Sequence, residues 1–141
     1  LYKYILQGGK TEMKKSIDLA SMIDVSILKP DVTTKELENA CLQAIKYNFI
    51  AVAVNSADVA ACKNYLKGSS VGIVSSVAFP LGATTLETKL YEAEKAIELG
   101  ATEIDYVINI SKLKDGDYKF IEKEMENLTR LCHLNNVKCK T

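Results

Sequence analysis

Apolar residues in this chain recur at helical spacing in some stretches and at strand spacing in the stretches between. Leu37, Ala40, Cys41, Ala44 and Ile45 follow at i, i+3, i+4, i+7 and i+8, the stripe of a helix laid on a flat surface, with Thr33 and Glu36 spaced as a capping box before it. This predicts a helix from Thr34 to Tyr47. A second is expected from Ala57 to Lys67, stopped by Gly68, and a third from Thr85 to Leu99, opened by Thr84 with Glu87 and closed by Gly100. A fourth, Tyr118 to Leu134, sets Ile121, Met125, Leu128 and Cys132 on one face. Between them lie runs rich in branched residues, read as strands over Met22 to Leu28, Ile50 to Asn55, Val71 to Phe79 and Glu103 to Ile110, with Val137 to Cys139 as a fifth. Strands separated by helices of this length need crossover connections, so the sheet is expected to be parallel and the class α/β.

Alternate residues of these strands separate into two unlike sets. Ile23, Val25 and Ile27, then Ile50, Val52 and Val54, then Ile104, Tyr106 and Ile108 form a face suited to lying under helices. The opposite face carries Asp24 and Ser26, then Ala51, Ala53 and Asn55, then Asp105, Val107 and Asn109. The third strand is ambiguous: Val74 alternates with Gly72, Ser76 and Ala78, while Val71, Ile73, Ser75 and Val77 form a rival face. A doubly wound sheet is covered by helices on both faces and calls for two apolar sets. One apolar and one small or polar set is what a barrel wall gives when its interior serves a site. Length argues the other way, because 141 residues suit a doubly wound sheet, whereas a complete (β/α)8 barrel takes about 250. On the strand faces we expect a truncated (β/α)8 TIM barrel with about the first four βα units. The expected division is an N-terminal extension over 1–15 and the N-terminal half of the barrel over 16–141. Met13-Lys14-Lys15 has the form of an ordinary start, so residues 1–12 read as upstream sequence or an alternative start.

Composition narrows the function classes. With 48% hydrophobic and 26% charged residues the chain fits one globular domain and no collagen-like or low-complexity class. Lys plus Arg equals Asp plus Glu at 18 each, and Arg130 is the only arginine, so no guanidinium cluster awaits a nucleic acid backbone. The longest mostly apolar stretch, Phe49 to Val54, falls far short of the roughly 20 residues of a membrane span. Neither nucleic acid nor membrane is an expected partner. Residues 1–15 lack a signal-peptide core, and the four cysteines have no short spacing, which fits a reducing, cytoplasmic setting.

Asp105 is the most informative position. An ionised carboxylate in the middle of a strand costs several kcal/mol in a dry interior unless a cation, a hydrogen-bond network or water meets it. Asp24 raises the same question, and Ser26 lies on its strand face; the plain alternative is that these residues sit at strand ends in water or fill space. The segment Phe79-Pro80-Leu81-Gly82-Ala83-Thr84-Thr85 joins the third strand to its helix, where a barrel builds its mouth. Other constellations fail: there is no G-x-G-x-x-G, Walker lysine loop or G-x-S-x-G. His133 reads as a surface residue, the cysteines lack metal-ligand spacing, and the alternating charges from Lys119 to Glu126 read as a solvated helix face.

Four segments then combine: Ile23-Asp24-Val25-Ser26-Ile27-Leu28-Lys29-Pro30, Ala51-Val52-Ala53-Val54-Asn55, Val74-Ser75-Ser76-Val77-Ala78-Phe79-Pro80-Leu81-Gly82-Ala83-Thr84-Thr85, and Gly100-Ala101-Thr102-Glu103-Ile104-Asp105-Tyr106-Val107-Ile108-Asn109-Ile110. In this order the chain resembles, from about Ser16 to Val137, the first half of the deoxyribose-phosphate aldolases. The resemblance implies a class I aldolase on a (β/α)8 barrel, cleaving 2-deoxy-D-ribose 5-phosphate to glyceraldehyde 3-phosphate and acetaldehyde through a lysine Schiff base, without metal or other cofactor. It implies that Asp105 is the acid and base of proton transfer and that Asp24 and Ser26 lie against the substrate, a small phosphorylated sugar.

The chain also departs from the family. The family's Schiff-base lysine lies on the sixth strand, its partner lysine on the seventh, and the phosphate grip on the last two, all beyond this sequence. Ala53 stands where some members have cysteine, Ser56 where many have proline, and Cys139-Lys140-Thr141 where an apolar strand is usual. Removing Arg130 from the 18 basic residues leaves 17 lysines, of which Lys29 alone is expected near the mouth. The isolated chain is therefore expected to be inactive and to rely on a homo-oligomer or a complementing C-terminal fragment. A non-catalytic doubly wound binding module, or another barrel lyase sharing the early strands, are the competing readings.

Overall fold

The computed structural model describes residues 18–141, together with the backbone of a short hairpin in which Leu6–Gln7 pairs antiparallel with Lys10–Thr11. The expected boundary near residue 15 lies outside the described residues. Five strands form one sheet: β1 (Asp24–Ile27), β2 (Ala51–Asn55), β3 (Gly72–Val77), β4 (Glu103–Tyr106) and β5 (Lys138–Lys140). All neighbours are parallel, and their spatial order is their order in sequence. A doubly wound sheet reverses its strand order at a switch point; a sequential order is that of a barrel wall, and it removes the doubly wound alternative.

The helices are α1 (Thr34–Tyr47), α2 (Val59–Tyr65), α3 (Leu86–Leu99), α4 (Ile110–Lys114) and α5 (Tyr118–Leu134). Thr33 and Glu36 form the expected capping box of α1. Helix α3 begins one residue later than its sequence signal, with Thr85 rather than Thr84 as the cap, its hydroxyl accepting from the Thr88 amide. The expected second helix starts instead with a 3-10 turn, Ser56–Asp58. The fourth strand ends at Tyr106, four residues short of the expected Ile110, because Asn109 turns the chain by capping α4, a helix with no apolar stripe long enough to announce it.

Helix-facing strand residues Val52, Val54, Ile73, Val77, Ile104 and Tyr106 pack in one core with Leu37, Cys41, Val59, Ala93, Leu128 and Cys132 of the helices. Only Ala51, Ala53 and Val74 form a second, small cluster on the other side. This settles the ambiguous third strand: Ile73 and Val77 lie under the helices and Val74 faces inward. Ser75 sits on the helix-facing side, where its hydroxyl is buried without a partner. A polar residue outside and a valine inside erased the alternation.

One glycine fixes how the mouth is assembled. Gly82 has φ +64, and a Cβ built there would run into the Ile108 carbonyl oxygen and the Val107 side chain, so the loop after β3 presses directly on the end of β4. Gly82→Ala is expected to cost about 1–3 kcal/mol through overpacking, measured as a lower urea midpoint. An unchanged midpoint would mean the two segments can separate freely.

Candidate active site

Strand register sets the concave face. In parallel strands, paired residues share a side, so Ser26, Ala53, Val74, Glu103 and Lys138 form one row and Asn55, Ser76, Asp105 and Lys140 the next. Asp24 lies one step below Ser26 on the same face, level with Ala51. At the carboxyl ends of the strands is a hollow of about 350 Å³ lined by Ser26, Ala53, Ser76, Phe79, Asp105 and Thr141 among others. Barrels place their sites at that end. Ser26 and Asp105 therefore share the hollow, and Phe79 brings in the loop after β3. Asp24 is not in its lining; it is joined to the same face through a lysine.

That lysine is Lys140. Its ammonium donates to Glu103 at 2.8 Å and Asp24 at 3.2 Å and lies 3.8 Å from Asp105. The contact with Asp24 joins the first strand to the fifth. In a flat sheet four inter-strand steps separate such strands by about 19 Å, while a lysine and an aspartate meeting tip to tip span about 13 Å. The sheet must curl for them to touch, which is barrel curvature read from an ion pair. The hydrogen bond to Glu103 is the main cause that raises the Lys140 pKa above the ordinary lysine value, with Asp24 adding to it against partial burial. Its amine is thus held as a cation, the opposite of what a carbonyl-attacking lysine requires.

Lys29, the one lysine expected near the mouth, is exposed and lines a groove along α1 with Asp31, Val32, Glu36 and Asn39 that shares Ser26 and Leu28 with the hollow, and Lys140 joins it there as a second lysine. Lys140 escaped notice because the last strand was expected to stop at Cys139, and it runs over Lys138–Lys140.

The loops around the hollow are tied from behind by charged residues of α3 and α5. Lys89, fully buried, donates to the Val107 carbonyl at 2.8 Å and to Glu124 at 2.6 Å, and the other Glu124 oxygen accepts from the Asn109 amide at 2.9 Å. Glu92 accepts from the Ser56 hydroxyl and the Ala78 amide, joining the ends of β2 and β3. Asn55 donates to the Leu28 carbonyl and does the same for β1. These contacts overturn part of the helix reading: Glu124, assigned to a solvated face, is buried, whereas Met125, assigned to the apolar stripe, is 41% exposed. The available signal was a lone charge on each apolar stripe, Lys89 between Leu86 and Ala93, and Glu124 between Ile121 and Leu128.

The remaining candidates offer less chemistry. His133 is exposed on α5, as its position suggested. Cys41 and Cys62 face each other at 3.5 Å inside the core; their mutual hydrogen bond and burial push the Cys62 thiol up, and burial pushes Cys132 up to about 12, so both are poor nucleophiles. A wider groove of about 880 Å³ runs along α5 past Tyr118, Met125 and Leu134, away from the strand ends. Among the described residues no group of three or more His, Cys, Asp or Glu is placed to hold a metal ion, and no helix is long and apolar enough to cross a membrane.

No family model matches the chain. Its sequence is similar to the deoxyribose-phosphate aldolase of Lactobacillus acidophilus, 42% identical over 123 residues that make up 87% of this chain and 52% of that protein. The deoxyribose-phosphate aldolase of Thermococcus gammatolerans is 44% identical over 126 residues, 88% of this chain and 56% of that protein. Among solved structures, the deoxyribose phosphate aldolase of Aeropyrum pernix, described as tetrameric, superposes with a TM-score of 0.79 at 28% identity, covering 86% of this chain and 50% of its own. A second aldolase, QR15, gives a TM-score of 0.78 at 32% identity over 82% of this chain and 52% of its own. The chain spans about half the length of the curated relatives it matches. Its fold is the corresponding arc of their aldolase barrel.

Proposed function

We propose that this chain carries the acid–base side of a deoxyribose-phosphate aldolase site, for cleavage of 2-deoxy-D-ribose 5-phosphate to glyceraldehyde 3-phosphate and acetaldehyde. The observation that carries the reading is the pairing of Ser26 and Asp105 in one hollow at the carboxyl ends of a sequentially ordered, curled sheet. In Schiff-base chemistry an amine attacks the substrate carbonyl, and water must leave with a proton supplied to it; Asp105 is the group within the hollow that delivers and recovers that proton. Ser26 donates or accepts at a substrate hydroxyl, and Asp24 orients from the level below it. The attacking amine is not Lys140, which its carboxylate neighbours hold protonated, nor Lys29, which is exposed to water and outside the lining of the hollow. It comes from a C-terminal barrel segment that completes the wall between β1 and β5, in the cytoplasm.

The test is reconstitution. This chain is mixed with a polypeptide carrying the remaining strands of one of the relatives above, and the release of glyceraldehyde 3-phosphate is assayed. Activity is expected only in the mixture, and borohydride reduction with acetaldehyde is expected to leave its adduct on the added polypeptide. An adduct on Lys140 or Lys29 at neutral pH would overturn the assignment of the amine; a folded but inactive mixture would overturn the function.

A further inference from the structure

We propose that Lys140 is a positioning residue: its ammonium gathers Glu103, Asp24 and Asp105 into one cluster and so fixes the side-chain directions of the two aspartates on the concave face. Its use in catalysis rests on the aldolase reading, whereas the cluster itself does not. The argument is geometric. Among the described residues Lys140 is the only one in ion-pair contact with all three carboxylates, at 2.8 Å to Glu103, 3.2 Å to Asp24 and 3.8 Å to Asp105.

Glu103 is the anchor. Its side chain is 15% exposed, against 38% for Asp24 and 47% for Asp105, and charge pairs weaken as solvent screens them. A second cation, Lys138, stands 3.9 Å from Glu103 and pairs with neither aspartate. Without Lys140, three carboxylates of like charge would face one concave surface, and the two more exposed ones would turn outward to water. With it, Asp105 is held toward the hollow while the lysine amine is kept from carbonyl chemistry. One residue thereby serves the acid and removes a competing nucleophile.

Two measurements on the chain as it stands decide the matter. Competitive reductive methylation with limiting formaldehyde and cyanoborohydride, read by mass spectrometry at one mildly alkaline pH, reports the neutral fraction of each lysine. Glu103→Gln is expected to speed Lys140 labelling about threefold or more, because the hydrogen bond that most favours its charged form is lost, with Lys35 on α1 as an unchanged reference. The three-bond proton couplings of Asp24 and Asp105 report their χ1 rotamers. One rotamer each is expected in the wild type and in Lys140→Arg, and averaged couplings in Lys140→Met, with the backbone amide spectrum showing that each variant is folded. Unchanged labelling in Glu103→Gln, or identical couplings in all three proteins, would overturn the proposal. Lack of aldolase activity in the reconstituted mixture would bear on the function proposed above and would leave these two results standing.

Discussion

Lys89→Met is expected to destabilise the protein by about 3–5 kcal/mol, the cost of leaving a buried charge without its partner. Lys89 and Glu124 both have fully buried side chains, so losing the ammonium strands a carboxylate that water cannot reach. The loss is a large part of the roughly 5–15 kcal/mol that holds a domain of this size together. The double variant Lys89→Met/Glu124→Gln is expected to recover much of it, because the remaining amide can still accept from the Asn109 amide that Glu124 now receives. Urea midpoints of the two single variants and the double complete a mutant cycle. A cost under about 1 kcal/mol for Lys89→Met, the range of an exposed pair, would show that water enters between α3 and α5.

In the reconstituted enzyme, Asp105→Asn is expected to lower kcat by about 10²- to 10⁴-fold, the usual weight of a general acid and base. The amide keeps the volume and the hydrogen-bonding reach but cannot carry a proton to and from the substrate, so KM should change far less than kcat. Comparison with Ser26→Ala separates the two roles, since a group that binds a hydroxyl in ground and transition states alike raises KM with kcat nearly kept. Equal kcat in wild type and Asp105→Asn would place the proton relay elsewhere.

The period-2 alternation of β1, β2 and β4 was enough to place Asp24, Ser26 and Asp105 on one face, because their neighbours Val25, Ile27, Ile104 and Tyr106 are plainly helix-facing. The same rule failed at β3, where Ser75 and Val74 occupy each other's customary sides. It failed again at β5, a strand of three residues in which a one-residue error in the end point removes Lys140 from view. Helix stripes were legible where they were purely apolar, as in α1. They misled in α5, since a glutamate buried by a lysine from another helix looks in sequence like any solvated glutamate. Long-range pairing of this kind has no local signal; only the interruption of a stripe by a single charge marks where to look.

The segregation of the large core behind the strands from the three-residue cluster in front of them has a consequence for how this surface can vary. Folding draws on the rear, where Val52, Ile73, Ile104 and Leu128 interlock, and asks little of Ser26, which is exposed, whereas Ala53 and Ser76 are buried. Exchanges at Ser26 should reshape what the hollow admits while leaving thermal stability nearly level, so the character of this surface is free to drift on a scaffold that stays put.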